Sequence, residues 1–188
     1  MNILIVGLGN PDKQYHQNRH NVGFQFVDWL LEDYSKRNTD TVHGFKYDKY
    51  TNSELAKISI RSLRDTVHVV LSKPLTYMNR SGESIRKLLS ASTTKPPTLF
   101  VVHDDLDIRL GNFKIQKGVG PKVHNGIDSI EQSLKTKDFW RIRIGIDNRD
   151  SDYEGSGEGY VLSDFTKEEK IQFRDIFQKI NTRFLDMI

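Results

Sequence analysis

The chain has 188 residues, with 28 Lys and Arg against 25 Asp and Glu, a formal net charge of +3 and no cysteine. Disulfides, cysteine-ligated zinc and thiol catalysis are thereby excluded, and the length suits one domain over residues 1–188 better than two under-buried ones. Hydrophobic residues make up 36 %, enough for a core, and no apolar run approaches the roughly 18 residues of a membrane span.

The chain begins with Asn2-Ile3-Leu4-Ile5-Val6-Gly7, a short β-branched run closed by glycine that reads as a buried strand. No charged n-region or Arg-rich presequence precedes it, so no cleavable signal is expected. Phe24, Val27, Leu30, Leu31 and Tyr34 then follow one helical stripe. Residues 45–50 and 55–60 alternate around Asn52-Ser53 and predict a partly exposed hairpin. Residues 67–71 form a second buried strand, and Ile85, Leu88 and Leu89 a second helical stripe. Pro96-Pro97 breaks the chain before a central strand at 99–103, which is followed by strands at 113–116 and 142–146. Between those last two, Ile127, Ile130 and Leu134 mark a third helix. Residues 147–159, polar and holding Gly155, Gly157 and Gly159, read as a surface loop or a lid over a cleft. Thr166 announces a last helix, with Glu168 and Glu169 in its first turn and Ile171, Phe173, Ile176, Phe177 and Ile180 inside. Strands alternating with helices give an α/β fold, a twisted mixed β-sheet with helices on both faces.

Four polar clusters follow or end the strands, where α/β sheets build their sites. Gly7-Leu8-Gly9-Asn10-Pro11 leads to Tyr15 and Asn18-Arg19-His20-Asn21. A dinucleotide fingerprint is rejected here, because position 12 is Asp and Asn10-Pro11 forces an extended turn where that motif starts a helix. The second cluster is Tyr77-Met78-Asn79-Arg80-Ser81-Gly82, the third His103-Asp104-Asp105-Leu106-Asp107, and the fourth runs from Gly118 through Pro121 to His124-Asn125-Gly126. Histidine, carboxylate and several carboxamides together suit the positioning of a water without metal or covalent intermediate. A metal site built on His103, Asp104, Asp105 and Asp107 with His20 or His124 is the rival reading, but adjacent strand residues point to opposite faces. No G-x-S-x-G elbow supports a serine nucleophile.

These clusters, in this order, resemble the bacterial-type peptidyl-tRNA hydrolase family. The resemblance rests on Val6-Gly7-Leu8-Gly9-Asn10-Pro11, Arg19-His20-Asn21-Val22-Gly23, the Tyr77–Gly82 and His103–Asp107 segments, His124-Asn125-Gly126 and Arg141-Ile142-Arg143-Ile144-Gly145-Ile146, and it spans nearly the whole chain. It implies hydrolysis of the ester joining peptide to tRNA, with no cofactor and no metal. It implies His20 as catalytic base and Asp104 as the carboxylate that holds it. Asn10, Tyr15, Asn21, Tyr77, Asn79 and Asn125 become substrate-binding residues, and Arg143 a contact to the tRNA 5′-phosphate, helped by Lys114 or Lys117. The partner implied is the acceptor end of peptidyl-tRNA, the expected state a monomer away from membranes, and the expected place the bacterial cytoplasm or a mitochondrion. Two positions depart from the family pattern. The usual glycine-dense loop before His-Asn-Gly reads Gly118-Val119-Gly120-Pro121-Lys122-Val123, and a lysine expected two residues after Lys114 is Gln116. The alternative is a catalytically silent RNA-binding relative acting in RNA splicing or processing. Retention of His20, Asp104 and the three asparagines speaks against it, since a pure binder has no need of a base and its orienter.

Overall fold

A computed structural model describes residues 2–37, 43–61, 66–91 and 97–188. Among these residues, seven strands form one mixed sheet: β1 Asn2–Gly7, β2 His43–Asp48, β3 Ser53–Arg61, β4 Thr66–Pro74, β5 Thr98–Arg109, β6 Phe113–Lys117 and β7 Trp140–Asp147. Their order is β2-β3-β4-β1-β5-β7-β6. The four central strands β4, β1, β5 and β7 run parallel, while β3 and β6 pair antiparallel at the flanks. Among the described residues, five α-helices accompany them: α1 Val22–Arg37, α2 Ser81–Ser90, α3 Asn125–Leu134, α4 Gly157–Val161 and α5 Lys167–Leu185. Among the described residues, no helix is long and apolar enough to cross a membrane.

Alternation along the strands divides the core between the two faces. Ile3, Ile5, Phe100, Val102, Ile142 and Ile144 pack with Phe26, Leu30, Phe177 and Phe184 of α1 and α5. Leu4, Val6, Leu99 and Val101 pack on the other side with Ile85, Ile127 and Ile130 of α2 and α3. The helices thus cover both faces, as the βα alternation requires.

The expected strands and the four longer helices are present, and the hairpin at β2–β3 lies where its alternation puts it. Four features differ. The central strand runs on through the acidic cluster to Arg109, because the carboxylates of Asp104 and Asp105 find cationic or imidazole partners that let a polar stretch stay in the sheet. Ile171 stands outside the core, 74 % exposed, on the solvent side of α5. Segment 147–159 ends in the helix α4, capped by Ser156, whose hydroxyl accepts from the Gly159 N–H. Short 3-10 helices at Lys13–Tyr15, Arg19–Asn21 and Met78–Arg80 carry residues for which no periodicity was visible. Pro96, the first half of the expected break, lies outside the described residues.

The glycines after β1 have a packing role. A Cβ on Gly23 would lie 2.5 Å from the Leu8 nitrogen and 2.6 Å from its carbonyl oxygen, and one on Gly9 would lie 2.7 Å from the Phe24 ring. The N-terminus of α1 therefore lies against the chain leaving β1, fixed by hydrogen bonds from the Phe24 N–H to the Leu8 carbonyl and from the Leu8 N–H to the Val102 carbonyl. This approach holds the chain leading to Asn10 against the helix that follows His20. Gly23→Ala is expected to cost about 1–3 kcal/mol, the usual scale of an overpacked core position. Urea denaturation monitored by circular dichroism would measure it as a lower midpoint at unchanged slope.

Candidate functional site

The site forms where the parallel strands end. β1 stops at Gly7 beside Val102, whereas β5 continues, so Asp104 projects beyond the end of its neighbour. Opposite it, the 3-10 helix Arg19–Asn21 presents His20, whose Nδ1 lies 2.8 Å from Asp104 Oδ1. Both side chains are largely buried, Asp104 at 2 % exposure and His20 at 8 %.

A second imidazole meets the same oxygen. His124 Nε2 lies 3.0 Å from Asp104 Oδ1, and its Nδ1 accepts the N–H groups of Gly126 and Ile127 as the N-cap of α3. An Nδ1 that accepts two amide protons carries none itself, so the His124 proton sits on Nε2 and is donated to Asp104. Asp104 is therefore an ionised acceptor for two ring N–H groups. Burial alone would raise its pKa, but the two imidazoles hold it well below the usual carboxylate range. Burial pulls the His20 pKa down, while the Asp104 charge and hydrogen bond more than offset that, so His20 titrates above its ordinary 6.5. His103, fully buried with its Nδ1–H 2.6 Å from the Asp104 carbonyl, is pushed well below 6.5 by burial and stays neutral.

With the Nδ1 proton committed to Asp104, the neutral His20 ring has its Nε2 lone pair free, and the ring lines a cleft of about 680 Å³. Asn10, Tyr15, Tyr77, Asn79 and Asn125 line the same cleft, and its far wall is Leu106, Val123 and the α4 region from Gly157 to Leu162. Asn10 Oδ1 accepts the Met78 N–H at 2.9 Å, which leaves the Asn10 NH2 as the group free to donate into the cleft. The side chains of Asn79 and Asn125 are exposed there and hydrogen-bond to no other described residue. Tyr77 holds φ at +60°, a costly backbone for a non-glycine residue, and in that conformation it turns the Met78 N–H toward Asn10.

The other four expected site residues do not line this cleft. Asn21 does not reach the cleft: it is 1 % exposed, accepts the Asn10 N–H and donates to the Asn10 carbonyl, so its amide is consumed in holding Asn10. Arg143 is 7 % exposed, its Nε donating to Asp105 at 2.7 Å and its Nη1 to Gln116 at 2.8 Å. Gly120 lies so close over this guanidinium that any Cβ would collide with it. Lys117 is one residue out of phase with Gln116 along β6, so it points away from Arg143 and pairs with Asp138 at 2.7 Å. Lys114 pairs directly across from Arg143 on the same face and is exposed. In the altered loop, the Gly120 carbonyl accepts from Arg141, and the Lys122 N–H donates to Asp107 at 3.2 Å.

Two contributions were not anticipated from sequence. The place of His124 at the start of α3 was its available signal, since a polar residue before a helical stripe is a cap candidate. Arg19 Nη2 donates to both carboxylate oxygens of Glu169 at 2.8 and 2.7 Å, while Nη1 donates to the Asp164 carbonyl and the guanidinium lies over the Tyr160 ring at 4.5 Å. The same Glu169 closes the capping box of α5 with Thr166. The residue preceding His20 is thereby anchored to the C-terminal helix.

Among the described residues, His20, Asp104 and His124 are the one group of histidine and carboxylate ligand atoms close enough to share an ion, all within 4.8 Å. The donor chemistry does not fit a metal. Ligation through His124 Nε2 would move its proton onto Nδ1, where two amide N–H groups already point.

Residues 4–188 match the sequence model of a family described as peptidyl-tRNA hydrolase. The chain is similar to a Thermodesulfovibrio yellowstonii protein named peptidyl-tRNA hydrolase, 39 % identical over 92 % of this chain and 85 % of that one. A Neisseria meningitidis serogroup C protein of the same name is 38 % identical over 94 % and 85 %. The crystal structure of peptidyl-tRNA hydrolase from Acinetobacter baumannii superposes with a TM-score of 0.76 at 32 % identity, covering 94 % of this chain and 83 % of that one.

The electrostatics fix a titration experiment. The His20 ring C–H signals in an NMR pH titration should report a pKa above 6.5, because the protonated ring is favoured beside Asp104. Asp104→Asn removes that charge while burial remains, so the midpoint should fall below 6.5.

Proposed function

The chain belongs to the peptidyl-tRNA hydrolase family, and we propose that it hydrolyses the ester between peptide and tRNA through His20 acting as general base on a water, with Asp104 holding the ring. The observation that carries this reading is the 2.8 Å contact between His20 Nδ1 and Asp104, with Nε2 turned to a cleft lined by three asparagines. An ester is a far easier target than an amide, so a positioned water needs only a base of suitable strength. A neutral imidazole with a pKa somewhat above 6.5 is matched to that task near neutral pH. As the ring takes the proton, Asp104 stabilises the imidazolium that forms.

The carboxamides supply the rest. The Asn10 NH2, oriented by the Met78 N–H, donates to the carbonyl oxygen that gains charge in the transition state. Asn79 and Asn125 bind the peptide backbone and the water from the remaining sides of the cleft. Tyr15 and Tyr77 offer ring faces to the esterified residue and to the terminal ribose and base.

For the tRNA, Lys114 is the phosphate contact best supported. It is exposed on the face it shares with Arg143, whereas Arg143 has already committed its Nε and one terminal nitrogen to Asp105 and Gln116. Arg143 then serves chiefly to fix that strand pair and the loop above it.

Release of peptide from N-acetyl-aminoacyl-tRNA by the wild type, beside His20→Ala of confirmed fold, tests the base. The variant should lose about 10²–10⁴ in kcat, the usual share of a positioned base. Because only neutral His20 accepts a proton, wild-type kcat/KM should rise with pH through a midpoint above 6.5. Lys114→Ala should weaken tRNA binding uniformly across amino acids and lower the salt slope by about one.

A further inference from the structure

A second groove of about 760 Å³ lies beside the catalytic cleft, and the two share their boundary segments. Along the first, Asn10 and Tyr15 line the cleft while Pro11 and Lys13 line the groove. Along the second, Tyr77 lines the cleft and Leu75 the groove. The segments are tied at this divide by the Tyr77 hydroxyl, which donates to Asp12 Oδ2 at 2.9 Å. Beyond the divide, the groove runs over α1 and the ends of β3 and β4, with Trp29 half-buried in it and Lys13, His16 and Gln17 exposed at its edge. Within it, Lys73 is neutralised by Asp28 and Glu54, both at 2.8 Å.

We infer that this groove binds the upstream residues of the peptide, those remote from the ester, which cross the Asp12–Tyr77 bridge to reach it. The inference rests on the hydrolase reading of the cleft and extends it to a second subsite. Strand order supplies the direction. Lys114 lies on β6 at one edge of the sheet, the His20–Asp104 pair stands over β1 and β5 in the middle, and the groove opens over β4 and β3 on the opposite side. A substrate with its phosphates at Lys114 and its ester at His20 has its peptide leaving toward β4, where the groove begins. The lining suits a chain of varied sequence: the apolar surfaces of Pro11, Trp29 and Leu75 sit among side chains of both charges, with the Lys73 ammonium already satisfied. Short substrates that end within the cleft do not use it.

The test compares N-acetyl-aminoacyl-tRNA with a hexapeptidyl-tRNA carrying the same esterified residue. Lys13→Trp and Gln17→Trp, both at exposed edge positions, obstruct the groove without entering the core. Each should raise KM for the hexapeptide substrate about tenfold, equivalent to about 1.4 kcal/mol, and leave the acetylated substrate within about twofold. A binding readout comes from Trp29, one of two tryptophans in the chain. In a His20→Ala, Trp140→Phe background, its emission should respond to hexapeptidyl-tRNA and not to the acetylated form. Equal effects on both substrates would place the tRNA, not the peptide, in the groove, and no effect on either would leave the groove outside the reaction; both outcomes overturn the inference. Failure of the wild type to cleave even the acetylated substrate would instead overturn the hydrolase mechanism itself.

Discussion

A carboxylate shielded from water is tolerable only when compensating donors face it, and Asp104 has two imidazoles on one oxygen. The consequences run outward from that oxygen. One imidazole, His124, is locked as an Nε2–H donor by the first turn of α3, so it is a fixed support. The other, His20, has no such constraint on its second nitrogen. The pair of contacts thus distinguishes two chemically identical rings by what their remote nitrogens touch: one is a strut, and the other keeps a lone pair free.

Keeping these groups in register takes contacts from distant parts of the chain. Glycines at 7 and 23 let α1 settle against the exit of β1, which sets the distance between Asn10 and His20. The Arg19–Glu169 pair then ties the turn bearing His20 to α5, some 150 residues further on, as the intervening numbering shows. A buried pair of this kind contributes geometry more than net stability, since its desolvation consumes much of the Coulomb gain. Asn21, turned inward, performs the same service for Asn10. The cleft side chains are presented at a sheet end, but their placement comes from these inward-facing neighbours.

Much of the fold was legible because burial imposes periodicity: short apolar runs became β1, β5 and β7, the first closed by Gly7, and Thr166 capped α5 with Glu169 as its pattern required. The glycine spacing after β1 was likewise separable from a dinucleotide fingerprint, and its packing use is visible in the contacts of Gly23. His20 and Asp104 were legible only as members of a family pattern, because their 84-residue separation carries no local signal. The polar continuation of β5 was missed for the related reason that its partners, His20, His124 and Arg143, come from elsewhere in the chain. Gln116, visible beforehand only as a departure from the family, acquires a meaning once strand pairing sets it within reach of the Arg143 guanidinium.

The account therefore turns on where one proton sits in the neutral enzyme. Nitrogen-15 NMR of the His20 ring, recorded above its titration midpoint, distinguishes the two tautomers directly. The hydrogen bond to Asp104 predicts a protonated Nδ1 and a bare Nε2 facing the cleft. A protonated Nε2 with a bare Nδ1 would contradict it, since that ring would have no lone pair available to activate a water and no proton to share with the carboxylate.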